Sequence, residues 1–68
     1  MFYQQQQLTT KELNYLSDSM KNEGLMAKLC AQSAGECQNS QLKMTLEHMA
    51  QMHLQGQQLL LNTLQQQS

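Results

Sequence analysis

Apolar side chains recur along this chain at steps of three and four residues, the spacing that keeps them on one side of an α-helix. A first stripe runs Leu13, Leu16, Met20, Glu23, Ala27, Cys30, Ala34, Cys37, and a second runs Leu42, Leu46, Met49, His53, Gly56, Leu60, Thr63. Near the middle each stripe is broken by a group that can carry charge, Glu23 in one and His53 in the other. The pattern therefore predicts two amphipathic helices and singles out one polar layer within them.

Local signals set the bounds. Thr9 followed three residues later by Glu12 is a capping box, and it opens a helix expected over about 10–36. The stripe is lost at Cys37-Gln38-Asn39-Ser40, where turn formers gather, with Asn39 suited to a left-handed conformation and Ser40 to capping the next helix. The second helix is expected over about 41–64. A link this short makes the helices antiparallel neighbours. No proline and only three glycines interrupt the chain. The glutamine-rich ends, residues 1–8 and 66–68, read as solvated tails flanking a hairpin over 9–65.

A chain of 68 residues folded into one pair of helices has a single contact face and little interior. The fold expected is all-α, an antiparallel two-helix hairpin that dimerises into a four-helix bundle of coiled-coil type. Its seam would be Leu13, Leu16, Met20, Ala27, Cys30 and Ala34 from the first helix, with Leu42, Leu46, Met49 and Leu60 from the second. A homodimer or higher homo-oligomer follows. The outer faces are rich in glutamine, and charged residues make up 13% of the chain against about 25% in average domains. Such a surface repels its copies weakly.

The net charge of −1, with no arginine, offers no basic field to phosphate backbones or anionic lipid, so neither nucleic acid nor a membrane is an expected partner. The first residues lack the basic and apolar regions of a secretory signal, and a cytoplasmic start is expected. Cys30 and Cys37 lie seven residues apart, about 10 Å along a helix, beyond the ~7 Å reach of a disulfide. They read as reduced thiols packed like small hydrophobes, with a cross-link between chains as the alternative. No phosphate loop, no Ser/His/Asp set and no carboxylate pair at helical spacing is present, so no enzyme is expected.

Folding the chain at Asn39 brings Glu23 level with position 55, between His53 and Gly56, with Gly24 beside it. Each mid-helix glycine costs about 1 kcal/mol against alanine, so two at one height imply close backbone approach or room for something. Three readings of the layer stand open: a structural Glu23–His53 pair fixing register, a zinc or iron site built from carboxylate and imidazole, or a stripe displaced by one position that leaves both groups in solvent. His48 extends the candidate metal set. His48/Met52 and Met49/His53 are i, i+4 pairs whose thioethers and imidazoles, with Cys30 approaching from the other helix, suit copper(I).

The stretch Glu36-Cys37-Gln38-Asn39-Ser40-Gln41-Leu42-Lys43-Met44-Thr45-Leu46 resembles the spore coat F family, in which helix one ends in Glu-Cys, a Ser/Asn/Pro turn follows, and the next helix opens Gln-Leu-Arg with a Thr two residues on. The likeness spans about Leu13 to Gln66. It implies a ferritin-like pair of helices per domain, a structural role in the spore coat, assembly with other coat proteins, and a path from the mother-cell cytoplasm to the coat. Glu23 falls where members carry a helix-one glutamate. The Glu-x-x-His of many members lands on His53-Leu54-Gln55-Gly56, which replaces both of its ligands and weakens an inherited di-metal site. A small metal-binding bundle protein using Glu23 and His53 is the alternative reading.

Overall fold

The computed structural model describes residues 7–67, so the expectation of a glutamine-rich N-terminal tail lies outside the described residues except at Gln7 and Leu8. Helix α1 spans Thr10–Glu36 and helix α2 spans Ser40–Gln67. They pack against each other and, among the described residues, no strand is present. Their antiparallel course is fixed by cross-contacts that pair Ala34 with Lys43, Glu23 with His53 and Met20 with Gln57.

The start of α1 is the capping box read from the sequence. The Glu12 amide donates to Thr9 Oγ1 at 3.0 Å, and the Thr9 amide donates to Glu12 Oε1 at 2.9 Å. Thr9→Ala removes one partner of this reciprocal pair and is expected to cost about 1 kcal/mol, lowering the melting temperature by roughly 5 °C. Thermal unfolding followed by circular dichroism checks it, and an unchanged midpoint would show that the first turn frays regardless of its cap.

The connection differs from its expected chemistry. No described residue has positive φ, so Asn39 does not take the left-handed conformation. Instead α1 ends on an extended Cys37, whose amide donates to Ala34 O at 3.2 Å. Asn39, rather than Ser40, caps α2: its Oδ1 accepts the Leu42 amide at 2.8 Å while its carbonyl accepts the Lys43 amide. The carboxamide satisfies the N3 donor directly, leaving Ser40 as the first helical residue. Lys43 then reaches back across the turn, and its ammonium donates to Ala34 O at 3.3 Å, placing a cation at the carbonyl end of α1. Helix α2 also continues past position 64, through Gln67.

The contact line is built from small residues. Among the described residues, Leu16, Ala27, Cys30 and Ala34 of α1 and Ala50 of α2 are the buried set, and no polar or charged residue joins them. Four of these five side chains have at most one atom beyond Cβ, which allows the backbones to approach closely near the turn. Leu46 and Leu60 are half-buried along the same line. Leu42 and Met49, expected in the seam, are 49% and 39% exposed, and Leu13 is 41% exposed. Space between alanine-lined helices is too narrow for such side chains, so they ride on the flank while Lys43, Ala50, Gln57 and Leu64 turn inward. Thr63 likewise faces out, its hydroxyl donating to Leu59 O within its own helix.

Candidate functional site

The polar layer forms where counting from the turn places it. His53 Nδ1 lies 2.7 Å from Glu23 Oε1, with about a quarter of the His53 side chain and 30% of the Glu23 side chain exposed. The pair therefore occupies the edge of the helix contact, half-sheltered, and neither a sealed core nor open solvent describes it. At that exposure it is worth about 1 kcal/mol, between a surface ion pair and a sheltered charge-assisted bond.

Two glycines make this layer possible, each making room for a polar side chain of the opposite helix. A Cβ at Gly56 would collide with the Glu23 carboxylate, whose Cδ would lie 3.1 Å from it. A Cβ at Gly24 would lie 2.6 Å from Gln57 Nε2. That amide instead passes over Gly24 and donates to Met20 O at 3.0 Å, adding a second bond to a carbonyl inside α1. Gln57 escaped the sequence reading because a glutamine among many carries no distinguishing signal. Only the unexplained glycine at the same level pointed to an incoming side chain.

The remaining sequence candidates are not gathered here. His48 is exposed, and five residues from His53 at ~100° per residue set it about 140° around α2, away from Glu23. Cys30 is buried against α2 nearer the turn, and Cys37 is half-buried at the end of α1; both are free thiols. Among the described residues no group of three or more His, Cys, Asp and Glu is assembled. A zinc or iron centre would thus rest on one carboxylate and one imidazole that already bond each other.

Depressions flank the line of contact. One, about 480 Å³, opens at the end far from the turn between Leu13, Leu16, Met20, Gln57 and Leu64. Another, about 310 Å³, is lined by Glu23, Met49, Met52 and His53. The same flank carries exposed Leu42 and Leu59 from α2, and helical spacing sets Met26 and Tyr15 of α1 on the side from which Glu23 faces it. No family model matches the chain, and neither a curated protein nor a solved structure matches it. No helix among the described residues is long and apolar enough to cross a membrane.

Proposed function

We propose that this chain is a structural assembly protein that acts by helix–helix self-association, its hairpin pairing with a second copy to complete a four-helix bundle. The observation that carries the reading is surface. Among the described residues eleven large apolar side chains are left exposed, among them Tyr15, Met26, Leu42, Met49, Met52 and Leu59. The Cα atoms span only 12 Å in the thinnest direction, one layer of helices, so a second hairpin has an entire face to cover.

A place in the spore coat, alongside other coat proteins, extends this reading through the likeness of the Glu36–Leu46 stretch to the spore coat F family. Weakly charged, glutamine-rich outer faces support dense packing of such units. The test is dilution. Helix content by circular dichroism and mass by sedimentation should fall together as the chain is diluted, with a melting temperature that rises with concentration. A hairpin that sediments as a monomer and keeps the same melting temperature over a hundredfold range of concentration would overturn the proposal.

A further inference from the structure

The depression beside the polar layer has a lining with a chemistry of its own. Met49, Met52 and His53 occupy positions i, i+3 and i+4 of α2, neighbours on one helical surface, and all three reach the same space with Glu23 behind them. Two thioethers and an imidazole are soft to borderline donors without formal charge. Glu23 contributes differently. A neutral imidazole that donates its Nδ1 proton to this carboxylate, at 2.7 Å, keeps the Nε2 lone pair for a ligand, and the carboxylate fixes the ring's tautomer and orientation. Among the described residues Nε2 has no other hydrogen-bond partner.

We infer that Met49, Met52 and His53 form a binding site for a soft monovalent cation, copper(I) or silver(I), with Glu23 as the positioning residue behind the histidine. The donor count suits the low coordination these d10 ions accept, and one helical turn supplies every donor, so no residue of a second copy is needed. Binding moves no electron and releases no proton from the thioethers or from a neutral imidazole. The ion's single charge is balanced across the ring by the Glu23 carboxylate. Thioethers are poor donors to zinc or iron(II), which separates this site from the carboxylate–imidazole centre expected from Glu23, His53 and His48. In the single hairpin Met52 is 55% exposed, which gives the ion a path in from the flank.

Silver(I) titrated into the full-length chain is the test, read by NMR at the methionine methyl groups, the His53 ring and the two cysteine Cβ positions. The expected result is one saturable event that shifts Met49, Met52 and His53 together and leaves Met20, Met26 and Met44 in place, whichever equivalents the Cys30 and Cys37 thiols take separately. Met49→Leu with Met52→Leu keeps volume and helix propensity and abolishes that event. Glu23→Gln weakens it by about 10- to 100-fold without abolishing it, and zinc does not compete. Shifts spread over all the methionines, no saturation, or an unchanged titration in the double leucine variant would overturn the assignment. Met49 and Met52 lie on the flank assigned to self-association, so sedimentation of each titrated sample keeps the two proposals apart: the silver event is expected at unchanged mass, and a change of mass without the Met49, Met52 and His53 shifts would overturn the site.

Discussion

Placing lysine at both Leu42 and Leu59 is expected to break the assembly into monomers and to remove much of the helix content at the same protein concentration. Both side chains are exposed in the single hairpin, at 49% and 66%, so neither substitution disturbs a buried contact within one chain. In a bundle they would lie near the two ends of the apolar flank of α2, with Met49 and Met52 between them. Each paired assembly would then have to desolvate four ammonium groups or splay its ends. A loss of about 4 kcal/mol per dimer raises the dissociation constant a thousandfold. Because five side chains make up the buried set of an isolated hairpin, the helices lose their support along with the partner. Leu54→Lys, at a comparably exposed leucine on the opposite flank, should leave mass and helicity nearly unchanged. Equal sedimentation of the Leu42/Leu59 variant and the parent chain would refute the assignment of this flank.

Ala34→Leu is the second large effect, and it acts inside the chain. Ala34 is the most buried residue, 2% exposed, and its neighbours along the contact line are Ala27, Cys30 and Ala50. At that burial, three additional carbons have nowhere to go except between the backbones. Overpacking of this kind costs about 1–3 kcal/mol, and here it also pushes Lys43 away from the Ala34 carbonyl. For a domain of this size the melting temperature should fall by about 10 °C or more. Met20→Phe offers the contrast: Met20 borders the 480 Å³ depression, so comparable added bulk is absorbed and stability should stay within about 1 kcal/mol of the parent. Equal melting of the Ala34→Leu variant and the parent would mean the helices stand further apart near the turn than their alanines imply.

Most of the backbone was legible because its signals are local. Thr9 and Glu12 announce the start of α1, the absence of proline permits long helices, and the cluster from Cys37 to Ser40 marks the reversal. The Glu23–His53 meeting followed from counting outward from that reversal, which works because both helices rise equally per residue. The inward face of α2 was less legible. Reading 42, 46, 49, 53, 56, 60 and 63 as one stripe gives weight to the largest apolar residues, whereas the helix turns 43, 46, 50, 53, 57, 60 and 64 toward or near its neighbour. Half of that line, Lys43, Ala50 and Gln57 above all, scores as polar or nearly neutral. It is selected by shape, because α1 offers a narrow row of small side chains that only a small, straight or hydrogen-bonding residue can meet. Hydrophobicity alone does not carry that information.

The reciprocal glycines have a mechanical consequence for the hairpin itself. Sliding α2 past α1 by two turns would set Glu23 against Leu46 or Leu60 in place of His53, and would drive the Gln57 amide into a surface that carries a Cβ instead of the notch at Gly24. Small displacements in either direction lose the Glu23–His53 hydrogen bond and the amide–carbonyl bond together. The layer therefore acts as a detent, resisting shear along the rod axis where a smooth alanine seam would let the two rods creep.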